Sequence, residues 1–164
     1  MTKIFLQISR IVVAALFIFS GLVKANDPLG LSYKMQEFFD LWHVNALSEY
    51  SLVFSILIIA FEIIAGVALL IGWRMRFISW SLLLLIIFFT FLTGYAYLSG
   101  QFKDCGCFGD CLPITPLTSF LKDVLLLVLI GYIFYHRDKI RPAFPVRMNN
   151  LLIILTTIFS FAFQ

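Results

Sequence analysis

Cys105, Cys107 and Cys111 are the three cysteines of this 164-residue chain, and all lie in the stretch Asp104-Cys105-Gly106-Cys107-Phe108-Gly109-Asp110-Cys111. Clustered thiols can exchange electrons with another dithiol through a mixed disulfide. A ring closed between Cys105 and Cys107 over one residue is strained and so easily reduced. Cys111 then serves as the resolving thiol or as a stable partner of either. Lys103 and Lys122 favour a thiolate, whereas Asp104 and Asp110 oppose it. Two other chemistries use the same residues. Three thiolates with Asp104, Asp110 or a histidine make a tetrahedral zinc site, but there is no C-x2-C pair and His43 and His136 are distant in sequence. A structural disulfide with one spare cysteine is the plainer alternative. The odd count and tight clustering favour redox exchange. Cys105, Cys107 and Cys111 are therefore read as the catalytic set, with no metal assigned.

Apolar sequence flanks this stretch on both sides. The chain is 62% hydrophobic and 13% charged, with 19 phenylalanines. Soluble domains run at about half apolar and a quarter charged. One globular core cannot absorb the excess, so lipid is the expected solvent for most of the surface. The net charge of +3 points to no nucleic-acid role.

Ile4–Val23 is long enough to cross a hydrocarbon core of roughly 30 Å, and no small-x-small cleavage pattern follows it. It reads as a first span, with Arg10 near its start. Asn26-Asp27-Pro28-Leu29-Gly30 has turn chemistry, with positive φ open to Gly30. Ser32–Ser48 mixes apolar and charged residues as an amphipathic helix lying at the membrane surface does, and Trp42 suits that interface. Ser51–Trp73, Phe77–Leu98 and Leu117–Tyr135 are the next spans. Thr90, Thr93 and Gly94 give the third a small, weakly polar face. Asn149–Gln164 begins a fifth span of about 24 Å. The expected fold is all-α: a polytopic membrane bundle with a four-helix domain over 1–140, a fifth span over 141–164 leading into a further C-terminal domain, and a short interfacial helix.

Charge sets the sides. With the amino terminus inside, Lys3, Arg10, Arg74, Arg76, Arg137, Lys139, Arg141 and Arg147 lie inside, and Lys24, Lys34, Lys103 and Lys122 outside. Eight against four satisfies the positive-inside rule. The cysteine stretch then faces the periplasm of a bacterial inner membrane, where disulfides persist, and His136 falls on the other side.

Charges inside spans are paired or functional. Glu62 is the deepest, and Arg10 can reach toward it. Lys24 and Asp123 share a depth near the outer end and form a reasonable pair. Gly66, one turn after Glu62, permits close approach of another helix. These charges either hold the bundle together or line a polar pocket under the cysteine stretch. Lys24, Glu62 and Asp123 are the candidates for binding a quinone head group or another small polar ligand there.

Phe19-Ser20-Gly21-Leu22-Val23-Lys24, Glu62-x3-Gly66 with Gly72 following, and Cys105-Gly106-Cys107-Phe108-Gly109, in this order between helices of suitable length, resemble the DoxX-like and MauE-like membrane proteins over residues 5–140. The longer run Cys-Gly-Cys-Phe-Gly-Asp-Cys, with Asp27-Pro28-Leu29-Gly30, is similar to a bacterial subgroup in which such a membrane domain precedes an exported thioredoxin-like domain. The resemblance implies a four-helix core. It also implies a link to methylamine dehydrogenase maturation or to membrane redox complexes, and a thioredoxin-like partner. The architecture is similar to quinone-coupled disulfide-forming enzymes related to vitamin K epoxide reductase, which use C-x-x-C where this chain has C-x-C. Two functions follow: a thiol–disulfide relay, or a non-catalytic anchor, assembly subunit or small-molecule carrier using the Glu62 region.

Overall fold

The computed structural model describes residues 2–41, 43, 45–99, 116–140 and 142–164. In chain order its helices are α1 (Thr2–Asn26), α2 (Pro28–Leu41), α3 (Asn45–Ser48), α4 (Ser51–Ile71), α5 (Met75–Ser99), α6 (Pro116–Tyr135) and α7 (Val146–Phe163), with a 3₁₀ turn at Arg137–Lys139 between the last two. Among the described residues there is no strand. Five helices are long and apolar enough to cross a membrane: α1, α4, α5, α6 and α7. The all-α bundle expected from sequence is the observed fold. The fifth span starts earlier than its hydropathy suggested, at Val146 after Pro145, and has 18 residues.

The most extensive helix contacts are α1 with α4 and α5 with α6. Both pairs run antiparallel. In the second, Trp80 meets Phe134 edge-on at 4.9 Å, and Tyr97 stacks on Phe120 at 6.4 Å. The four helices share a core that includes Val13, Phe17, Ala65, Leu69, Leu82, Ile86, Leu126 and Ile130. The opposite faces are also apolar: Leu121, Leu125 and Val128 of α6 are each about 60% exposed. An apolar outer stripe is what a lipid solvent selects.

Gly66 is a point of close approach between α1 and α4. A Cβ there would lie 2.8 Å from Ile18 Cγ1 and 3.1 Å from the Ala14 carbonyl oxygen. The close approach expected at this glycine is therefore made, and α1 is the partner. At the far end of α4, Gly72 adopts the left-handed conformation (φ 74°), and the Trp73 N–H bonds to the Ala68 carbonyl at 2.9 Å. This closes the helix by capping its last free carbonyls, a role glycine fills without a Cβ clash.

The first connection differs from its sequence reading. α1 continues to Asn26, and α2 starts two residues later. Asp27 Oδ1 accepts from the Gly30 N–H at 3.2 Å. Asp27 thus caps the helix and Pro28 takes its first position, where no N–H is needed. Gly30 is a buried helical residue rather than a positive-φ turn residue. The amphipathic helix is present, but it docks on the bundle. Leu31 and Met35 pack with Ala25, Ile59 and Ile63, Ser32 Oγ and Ser51 Oγ share a 2.9 Å hydrogen bond, and Ser55 donates to the Pro28 carbonyl at 2.7 Å. Tyr33 and Glu37 stay on its outer side.

Candidate functional site

The chain from 100 to 115, with Cys105, Cys107 and Cys111, lies outside the described residues. Its anchors do not. The last residue of α5, Ser99, and the first of α6, Pro116, end two helices that pack against each other. Just inside those ends lies a group of buried charges.

Lys24, in the last turn of α1, directs its ammonium at Glu62 of α4. Nζ is 2.8 Å from Oε2 and 3.1 Å from Oε1. Both side chains are almost fully enclosed, at 3% and 6% exposure. Phe89 of α5 closes over the ammonium, with its ring centroid 4.6 Å away. That contact is favourable because the ring face is electron-rich and water is excluded. Across the bundle Asp123 of α6 is held at both oxygens: Oδ1 is 3.2 Å from Lys122 Nζ, and Thr93 Oγ1 of α5 donates to Oδ2 at 3.1 Å.

Between the two groups is a cavity of about 20 Å³, lined by Ser20, Lys24, Glu62, Phe89, Lys122 and Asp123 among others. Its size suits one water molecule, which polar walls of this kind can hold. It has no room for a quinone ring. Two ammonium groups face two carboxylates, so the formal charges cancel. That balance is the condition under which Lys24, Glu62 and Asp123 tolerate burial at membrane depth beside the partly exposed Lys122. All three candidates for a polar pocket, Lys24, Glu62 and Asp123, line this one cavity.

Two pairings expected from sequence are replaced. Arg10 does not reach Glu62. Its Nη2 bonds to the Leu70 carbonyl at 2.5 Å and its Nη1 to Gln7 at 3.4 Å. Arg10 lies 14 residues before Lys24, about 21 Å along α1, so it meets the last turn of α4 and satisfies a carbonyl there. Lys24 pairs with Glu62 rather than Asp123, because the antiparallel register of α1 and α4 sets Glu62 directly opposite. Thr93 was visible as part of a polar face, but its bond to Asp123 was not. Nothing in the sequence distinguished Phe89 from the other 18 phenylalanines. Thr93→Val is expected to lower stability by about 1–3 kcal/mol, since it strips one partner from a buried carboxylate. Thermal unfolding in detergent checks this.

The sequence has counterparts among known proteins. The sequence model of a family described as methylamine utilisation protein MauE matches residues 2–136. The chain belongs to the MauE family. It is a multi-pass membrane protein, and the match covers α1 to α6 and stops at His136, before α7. The chain is also 29% identical over 149 residues to Protein TlpB of Flavobacterium psychrophilum, an alignment covering 89% of this chain and 39% of that protein. The chain thus spans well under half the length of that relative. No solved structure matches it significantly. The segments that carried the resemblance, Phe19 to Lys24, Glu62 to Gly72 and Cys105 to Gly109, all lie inside the matched MauE region.

Proposed function

We propose that this MauE-family protein is a thiol–disulfide relay at the outer face of a bacterial inner membrane. Cys105 and Cys107 are the exchanging pair and Cys111 the resolving or structural partner. A thioredoxin-like domain or protein is the redox partner. One observation carries the reading: every cysteine of the chain falls in the single link between the paired helices α5 and α6. Charge supports the side. The opposite end of the bundle carries Arg74, Arg76, Arg137, Lys139 and Arg147, as an inward-facing end should.

The chemistry is exchange. A thiolate of the pair attacks the partner's disulfide, forming one S–S bond and releasing one partner thiolate. The second cysteine then attacks the mixed disulfide. The partner leaves as a dithiol and the pair remains as a disulfide; the reverse steps carry electrons the other way. The strained C-x-C ring favours turnover over permanent closure.

Thiol state in membranes, read by alkylation and mass shift, tests this. The pair should be reduced by a mild dithiol, and its re-oxidation by added quinone would identify the acceptor. Cys107→Ser should reduce exchange with periplasmic thiols to background while leaving membrane insertion intact. Full activity of that variant would end the relay reading, as would cysteines locked in one state under every condition. A carrier using the Glu62 region would show the reverse pattern: function lost in Glu62→Gln and retained without the cysteines.

A further inference from the structure

The end of the bundle remote from Ser99 and Pro116 presents a one-sided charge pattern. Arg74, Arg76, Lys139 and Arg147 are exposed and Arg137 is half-buried. Among the described residues at this end the opposing carboxylate is Asp138, whose Oδ1 lies 3.7 Å from Arg76 Nε; both side chains are open, at 84% and 71% exposure. Such an open contact neutralises little.

These cations come from three segments that tertiary contacts hold together. Trp73 Nε1, in the turn before α5, donates to Asn150 Oδ1 of α7 at 2.8 Å, and the Ala143 N–H bonds to the Ile71 carbonyl at 2.9 Å. The Arg76–Asp138 contact ties the 3₁₀ turn to α5. Two helices begin on this face, α5 at Met75 and α7 at Val146. The first turn of each carries an arginine and no acidic residue, and α7 has no side-chain cap. A cation there opposes the positive end of the helix dipole, where an anion is the favoured neighbour. Both termini and their arginines therefore call for the same external charge.

Aromatic side chains give the depth. Trp73 belongs to this turn, and Trp80, Tyr135 and Phe144 stand exposed around it. Trp and Tyr concentrate at the head-group level of a bilayer. The anions fixed at that level are lipid phosphates. We propose that this face binds the phosphodiester head groups of anionic phospholipids, seated between the start of α5 and the start of α7 with Arg76 and Arg147 as the main contacts. The inference does not rest on the relay. It concerns the opposite end of the molecule, and it holds whether or not the cysteines turn over.

The full chain, purified in detergent, is titrated with phosphatidylglycerol or phosphatidylcholine, and bound lipid is counted by native mass spectrometry. Phosphatidylglycerol should be retained in preference to phosphatidylcholine, with a preference that falls as salt rises. Each arginine removed should weaken retention about fivefold, so R76Q/R147Q should lose about 25-fold. R76K/R147K should keep most of the affinity, and K34Q, at the other end, should behave as wild type. Equal retention of the two lipids by the wild-type protein overturns the proposal, whatever the fate of the variants. So does undiminished phosphatidylglycerol binding by R76Q/R147Q. Complete competition by inorganic phosphate at matched concentration would make this a site for free anions and likewise reject a lipid site.

Discussion

Lys24→Met should destabilise the bundle by about 3–5 kcal/mol, and Lys24→Met with Glu62→Met should recover most of that loss. The single change leaves the Glu62 carboxylate without its 2.8 Å partner and shut off from bulk solvent, since Glu62 is 4% exposed. The double change removes both charges from a site where their attraction only offsets their desolvation. Equilibrium unfolding in mixed micelles measures both values. The magnitude is diagnostic. Neutral hydrogen bonds between membrane helices average only about 0.6 kcal/mol, so a Lys24→Met loss of that size would mean the pair is not held as two buried charges. The double variant also separates scaffold from chemistry. If it folds and its cysteines still exchange, the pair is structural and the relay needs only the α5–α6 link. If it folds and exchange stops, the cavity takes part in the reaction.

Gly66→Val should also be damaging, through packing alone. Even the first added carbon would sit 2.8 Å from the Ile18 side chain and 3.1 Å from two backbone atoms, the Ala14 oxygen and the Ile18 nitrogen. A side chain can rotate away, but the backbone of α1 cannot do so without moving the helix. Overpacking of this kind costs about 1–3 kcal/mol or more, and Val should exceed Ala. Separation of α1 from α4 would also lengthen the Lys24–Glu62 contact, because Glu62 is one turn from Gly66 on the same face. Gly131→Ala is the matched control. A Cβ at Gly131 meets nothing within 4 Å, and alanine in a helix interior gains about 0.5–1 kcal/mol over glycine. Opposite signs for the two substitutions, read by unfolding in detergent, are the expected result. A neutral Gly66→Val would mean that α1 and α4 are not in this contact.

These two experiments probe features that differ in how far they could be read from residues alone. The spans were legible because twenty apolar residues have few other solutions, and their ends fell within a few residues of those observed. The distribution of Lys and Arg marked the two ends. The cysteines stood out in the sequence because reactive residues are rare in such a chain and these three fall between positions 105 and 111, a stretch that lies outside the described residues. Gly66 was recognised as a contact glycine and Glu62 as a residue needing a partner.

Tertiary structure decided the partners. Lys24 chose Glu62 over Asp123, Arg10 went to the Leu70 carbonyl, and Asp123 took Lys122 and Thr93. It also fixed how the amphipathic helix sits on the bundle, docked through Leu31, Ser32 and Met35. The physical reason is the solvent. In water, a helix shows its buried face by contrast with a polar one, so periodicity reveals its rotation. Here the lipid-facing Leu121, Leu125 and Val128 are as apolar as the buried Leu126, Ile130 and Ile133. Hydropathy therefore identified which residues lie in the membrane but carried almost no information on which way each helix faces. Only the packed register of α1 on α4 and of α5 on α6 sets that phase, and with it which charge meets which.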